Sequence, residues 1–270
     1  MYYFICPVCG KNLVCVGKVC RCENNHSFDI SKEGHINLLL GSRSCDNVGD
    51  SAEMAVSRRS FLSKGYFDTL SDELVKIAST HGDVKTVLDI CCGEGHYSSF
   101  FKNAVPNADV LGFDLSREMV KRAAKQNKNV GYAVANMTSI PVADNSTDFA
   151  FHLFAPFYES EFNRILSDNG ILVSVIAGEK HLVELKNLLY DKPYLNEIKD
   201  PSCGEMTLVR DYDVSDTVHI GSSDDIKSLF MMTPYFYHTP SDAKEKLFAE
   251  NELDVTLSFH IFIYQKTKGG

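Results

Sequence analysis

No apolar run in this 270-residue chain reaches the roughly 18 residues a membrane-spanning helix needs; the longest, such as "ILVSVIA" and "FHIFIY", have strand length. A membrane partner is therefore not expected. The N-terminus lacks a basic-then-apolar leader, so no secretory signal is expected and the protein reads as cytoplasmic. Also missing is a surplus of positive charge. The net charge is −9 and unevenly spread: residues 1–65 hold 8 Lys+Arg against 6 Asp+Glu, the remainder 19 against 30. So acidic a body excludes a broad nucleic-acid-binding surface, and any bound polyanion must be met by the front segment and a local cleft.

Cysteine, by contrast, is plentiful and clustered. Five of the nine cysteines fall in "CPVCGKNLVCVGKVCRC", residues 6–22. In a reducing compartment such clustering points to metal rather than to disulfides. Cys6-Pro7-Val8-Cys9 has the form of a zinc knuckle, and Cys22 with His26 completes C-x2-C-x12-C-x3-H. Zinc takes four such ligands in a tetrahedron. The expected ligands are Cys6, Cys9, Cys22 and His26, with Cys15 and Cys20 as bystanders; Cys20 in place of Cys22 is the open alternative. The site would be closed and structural, supplying folding energy that a module of roughly 40 residues cannot draw from its own core.

A second chemistry lies downstream. "KTVLDICCGEGHYSSFF" reads as strand, tight Gly turn and helix start, with Gly93 and Gly95 letting the backbone pass close to a ligand. In "ADVLGFDLSREMVKRAAK" the form repeats, and Asp114 at the strand's end is placed to accept from two ribose hydroxyls. Asn136 and Met137 fall where a third strand ends, within reach of an adenine ring. A nicotinamide-dependent oxidoreductase would require G-x-G-x-x-G, and C-C-G-E-G-H lacks the third glycine. The pattern instead favours an S-adenosylmethionine (AdoMet) methyltransferase. Strands are expected near 86–91, 109–114, 131–135, 148–154, 170–177, 206–212 and 256–265. The apolar spacing of Leu182, Leu185, Leu188 and Leu189 marks a core helix face.

The ordered segments "SFDISKEGHINLLL", "GDSAEMAVSRRSFLSKGYFDTL", "LDICCGEG", "LFAP", "EKHLVELKNLLY" and "FMMTPY", after the zinc knuckle, closely resemble the RlmA family of bacterial 23S rRNA guanine-N1 methyltransferases, nearly end to end. The resemblance implies a class I, Rossmann-like α/β methyltransferase fold with a seven-stranded, mostly parallel sheet and a small N-terminal zinc ribbon for RNA recognition. It further implies structural zinc, AdoMet as methyl donor, and a homodimer whose cleft holds a 23S rRNA hairpin. It carries the metal ligands onto Cys6, Cys9, Cys22 and His26, and AdoMet contacts onto Gly93, Glu94, His181 and Phe67, where the family can have Tyr. Cys91 departs from the family's usual Gly, so the turn there must tolerate a Cβ.

The expected organisation is a zinc-binding module over 1–40, a helical link over 41–80 and a methyltransferase domain over 81–270. The segment "FAPFYESEF" after the fourth strand of that domain lacks the Pro-Pro-Tyr-type motif of exocyclic-amine methylases, which fits a ring-nitrogen target. The proton on guanine N1 must leave, and Glu53, Asp50 and His35 are candidate acceptors by position only. Arg58 and Arg59 are candidate phosphate contacts; Met231 and Met232 read as core. A small-molecule methyltransferase and an idle RNA-binding scaffold are the competing functional readings.

Overall fold

The computed structural model describes residues 4–40 and 52–267. The front segment holds β1 (Val14–Val16), β2 (Val19–Arg21), β3 (Ser27–Asp29) and β4 (Ile36–Asn37). Two helices follow, α1 (Ala52–Leu62) and α2 (Asp68–His81). The body then runs β5 (Thr86–Ile90), α3 (His96–Ala104), β6 (Asp109–Asp114), α4 (Arg117–Gln126), β7 (Gly131–Val134), β8 (Thr147–Leu153), α5 (Glu159–Ile165), β9 (Leu166–Ala177) and α6 (Val183–Leu189). It closes with β10 (Met206–Ile220), α7 (Ser223–Met231), α8 (Tyr235–His238), α9 (Ser241–Ala249) and β11 (Leu253–Lys266).

Strands β5 to β9 pair in parallel, and β11 lies antiparallel between β9 and β10. The sheet order is β10-β11-β9-β8-β5-β6-β7-β4, eight strands rather than the seven expected. The extra strand comes from the front segment. Ile36 and Asn37 pair in parallel with Ala133 and Val134, and the Leu38 N–H donates to the Val134 carbonyl at 2.9 Å. An edge strand leaves a row of N–H and C=O groups unpaired, and β4 covers that of β7. Two residues are too few to show a period-2 pattern, which is why the sequence hid this strand.

The central strands bury both faces and are apolar there, whereas the edge strand β10 is polar and largely exposed. One face, carrying Val87, Val110, Phe149, Phe151 and Phe259, packs against helices. There α2 presents Leu70, Leu74, Ile77 and Ala78 at helical spacing. The opposite face, with Leu88, Ile90, Phe113, Ala133 and Leu172, is covered by Phe162 and Ile165 of α5 and by the front segment itself. Phe4, Cys6, Leu13, Cys20, Cys22, Ile36 and Leu38 all belong to that second core. The Ile5 N–H donates to the Pro141 carbonyl at 2.9 Å, tying the front segment down from its other end.

One expectation about the thiols is corrected. Cys15 and Cys20 face each other across the β1–β2 hairpin and are joined by a disulfide. Directly opposed residues of an antiparallel pair hold their Cβ atoms a few ångströms apart, which brings two such sulfurs within bonding reach. Met231 and Met232 are only partly buried rather than core, whereas Leu182, Leu185 and Leu189 are core.

Candidate metal centre and methyl-donor cavity

The four expected ligands converge. Donor atoms of Cys6, Cys9, Cys22 and His26 all lie within 4.8 Å of one another. Cys9 Sγ is 3.7 Å from Cys22 Sγ, and His26 Nδ1 is 3.5 Å from Cys6 Sγ and 3.4 Å from Cys22 Sγ. An ion at the centre of a zinc tetrahedron, with bonds of about 2.3 Å to sulfur and about 2.0 Å to nitrogen, sets S–S edges of ~3.8 Å and S–N edges of ~3.5 Å. The donor set therefore fits zinc in chemistry and in spacing. The backbone N–H of Lys11 pulls the Cys9 thiol down to about 6, favouring the thiolate a metal requires. Burial instead pushes the Cys6 thiol up, so its anion needs a cation beside it. Cys20, the alternative ligand, is bonded to Cys15 and stands outside the set.

A cavity of about 720 Å³ opens at the C-terminal edge of the parallel strands, where β5 runs into the Gly turn. Ligands of open α/β sheets bind at this edge. Four of the expected residues line it: Phe67, Gly93, Glu94 and His181. Gly93 has φ +54°, and a Cβ there would project into open space, so the turn forms a cradle against which a ligand's atoms can lie. Gly95 does not line the cavity. Its φ is +73°, and a Cβ would run into the Tyr132 hydroxyl and Ala123, so glycine at this position serves the close packing of α3.

Asp114, Asn136 and Met137 do not line the cavity; Asp114 and Met137 are joined to residues that do. Asp114 Oδ2 accepts the Gly93 N–H at 3.0 Å, and Oδ1 accepts the Ser116 N–H at 2.8 Å. Met137 Sδ is 4.0 Å from Sγ of Cys91, which does line the cavity. Asn136 is exposed, and its Oδ1 accepts the Thr138 N–H at 3.0 Å. Cys91 opens the Gly turn at φ +61°, a left-handed conformation that L side chains seldom adopt.

His181 is buried, and its Nδ1 accepts the Ser258 N–H at 3.2 Å. Burial pushes its pKa down to about 4, so the ring is neutral and carries its proton on Nε2. With Nδ1 occupied, His181 offers a donor rather than a base. Phe67 meets it edge-on at 6.2 Å. Glu94 is held by Arg122 at 3.2 Å through one carboxylate oxygen, while its other oxygen is buried with no hydrogen-bond partner. His96 Nε2 is likewise buried without a partner, and burial lowers that ring's pKa. A polar ligand with donors and acceptors would satisfy both groups.

The sequence missed other lining residues. Asp89 is buried in β5, its carboxyl bonded by Ser98 Oγ at 2.5 Å and pushed up to about 7 by burial. An acidic residue inside the apolar run "TVLDI" was the available signal. Arg58, Met232, Tyr235, Tyr237 and His238 close the cavity from α1, α7 and α8. Arg58 Nη2 donates to the Met232 carbonyl at 3.4 Å across 174 residues of chain, a separation no local pattern reveals. Arg59 is exposed and also lines the cavity. Of the three candidate proton acceptors, none is seen there: His35 is bonded to Ser31 Oγ at 2.7 Å in the front segment, Glu53 is exposed outside the lining, and Asp50 lies outside the described residues.

A doubly wound sheet, a Gly turn opening on a cavity at its C-terminal edge and a three-cysteine, one-histidine cluster define a class I, Rossmann-like methyltransferase with an N-terminal zinc ribbon. Residues 4–40 match the family described as "RlmA, N-terminal", and residues 87–169 the family described as "Methyltransferase domain". A Micromonospora griseorubida protein described as a 23S rRNA (guanine-N(1)-)-methyltransferase is 34% identical over 204 residues, 68% of each chain. The Streptomyces fradiae 23S rRNA (guanine(748)-N(1))-methyltransferase is 32% identical over 69% of this chain and 68% of its own. A Bacillus subtilis relative, YxjB, bears the same guanine-N(1) description and is 29% identical over 97% of both chains. The chain belongs to the RlmA family of 23S rRNA (guanine-N1)-methyltransferases, enzymes with a structural zinc and AdoMet as methyl donor.

Proposed function

We propose that this protein transfers the methyl group of AdoMet to N1 of a guanine in a 23S rRNA hairpin. The observation that carries the reading is the joining, in one chain, of an RlmA zinc ribbon packed on one face of the sheet and a Gly-turn cavity at the C-terminal edge of its strands. AdoMet supplies an electrophilic sulfonium methyl, and the chain mostly has to position two reactants. Gly93 offers its open backbone, Asp114 its carboxylate to the ribose, and Asn136 and Met137 the adenine side. Glu94 and His181 meet polar groups at the methionine end, and Phe67 lays an aromatic ring near the sulfonium. Cys6, Cys9, Cys22 and His26 hold the zinc.

The division of labour we propose keeps residues 1–40 as an RNA-reading module, 41–80 as a helical link and 81–270 as the methyltransferase body. The front segment carries the net positive charge, so RNA is drawn to that end of an otherwise acidic molecule. The target guanine is unpaired in a hairpin loop, which lowers the cost of bringing it into the cavity. A homodimer presenting two such modules to one RNA, in the cytoplasm, completes the proposal.

The test uses labelled AdoMet and 23S rRNA lacking the modification. Label in one 23S fragment, with a reverse-transcriptase stop at a single guanine, supports the reading, because N1 methylation blocks Watson–Crick pairing. Label in small molecules alone would replace it by the small-molecule reading, and absent AdoMet binding by the scaffold reading.

A further inference from the structure

Phe154 is the first residue after β8. Its N–H still follows the sheet, donating to the Val175 carbonyl at 2.9 Å, but its φ is +54°. That left-handed turn disfavours any L side chain and a bulky one most. Such a conformation persists only where the surroundings enforce it, and it gathers at ligand sites. Here it swings a phenylalanine out of the sheet to line the cavity with 47% of its surface exposed.

The ring is the open end of an aromatic wall. It lies 6.1 Å from His181 and 6.1 Å from Phe259, and Phe67 is 5.3 Å from Phe259. Phe67, His181 and Phe259 are all buried, so Phe154 has a π-face left over. Its neighbour Phe157 cannot serve, because it packs into the other core against His152, Phe162 and Tyr264 at 5.2–5.7 Å. Enzymes that act on a base taken out of its stack replace the lost stacking with aromatic or apolar side chains.

We infer that Phe154 is the stacking platform for the target guanine, seating the extruded base one ring beyond the methyl-donor end marked by Phe67 and His181. The inference rests on the proposed methyltransferase reading and names the side chain that receives the base. The left-handed turn is what aims the ring, and the exposed face is what the base covers.

The experiment compares Phe154→Ala, Phe154→Tyr and Phe154→Gly with the wild type in the full chain. It measures AdoMet affinity by titration, kcat/KM on unmodified 23S rRNA and melting temperature. Base–aromatic stacking predicts a loss of roughly 5- to 150-fold in kcat/KM for Phe154→Ala, with AdoMet affinity kept within about twofold. Phe154→Tyr keeps the π-face and restores activity. Phe154→Gly fits the left-handed φ, so it melts no lower than Phe154→Ala while remaining as slow, which separates base binding from folding. Wild-type kinetics in Phe154→Ala would overturn the inference. So would a fall in AdoMet affinity matching the loss of activity, since Phe154 would then wall the cofactor. A wild-type chain that binds AdoMet but methylates no rRNA would remove the underlying functional reading, and this inference with it, before any variant is compared.

Discussion

Asp114 holds Gly93: the carboxylate at the tip of β6 accepts the backbone N–H of the Gly turn at 3.0 Å, and its second oxygen accepts the Ser116 N–H at 2.8 Å. One side chain thus fixes the ends of two βα units. Asp114→Ala removes two charge-assisted hydrogen bonds as well as the proposed ribose acceptor. AdoMet affinity is expected to fall roughly tenfold or more, since a hydrogen bond to a charged group contributes about 1.5–3 kcal/mol. Calorimetric titration of the folded variant checks this, and unchanged affinity would refute the ribose role.

Zinc content separates the six clustered cysteine and histidine side chains into two groups. Cys6→Ser and Cys22→Ser are expected to purify without stoichiometric zinc, whereas Cys15→Ser keeps it, because Cys15 bonds to Cys20 rather than to the cluster. Elemental analysis of the purified variants decides. A zinc-replete Cys22→Ser protein would contradict the ligand set.

Deleting the front segment is expected to cost stability as well as the RNA recognition proposed for it. Phe4, Ile36 and Leu38 are at most 3% exposed against the same sheet face as Ile90, Phe113 and Ala133. Each large apolar side chain so buried contributes about 1.5–3 kcal/mol, against a total stability of only about 5–15 kcal/mol. A chain starting at residue 52 is expected to melt well below the full chain and to self-associate through the bared face and the open edge of β7. Thermal melts and light scattering on both chains test this. An equally stable monomer would show that the front segment is a passive cover.

Acid is expected to destabilise the protein between pH 6.5 and 4. Burial lowers His152 and His181 to about 4 from an unfolded value of 6.5, so in this window the unfolded chain binds two protons the folded one refuses. Asp89, raised by burial to about 7 from 3.8, works the other way with one proton bound only in the folded state. The lowered His35 and His96 add to the histidine side. The balance is at least about one proton, so stability should fall by roughly 1.4 kcal/mol or more per pH unit of acidification. Denaturant unfolding across this range measures the slope, and His152→Phe should flatten it by about one proton.

Cys91→Gly tests the left-handed conformation held by a non-glycine residue in the turn. Relieving a left-handed non-glycine residue gains about 1–2 kcal/mol, and the added chain freedom of glycine costs roughly 0.5–1 kcal/mol. The net change in stability should be small and favourable, with AdoMet affinity at least retained. A variant that binds AdoMet more weakly would show that the Cys91–Met137 contact shapes the adenine side.

What the sequence determined by itself is whatever depends on short separations. The C-x2-C and C-x3-H spacings place their donors within a turn or two of chain, and the cluster forms from the residues that spacing indicates. The strand–turn–helix repeats placed Gly93 and Asp114 at strand ends, because period and turn chemistry are local properties. Tertiary structure alone decided the rest. That β4 joins the sheet depends on the edge of β7, a strand far along the chain. That Arg58 and Met232 close one cavity depends on α1 packing against α7. Phe154 and Phe157 stand three residues apart in one motif, yet a single positive φ sends the first into the cavity and leaves the second in the opposite core. Such outcomes follow from which faces the folded sheet leaves to be covered, a property of the packed whole that no window of sequence carries.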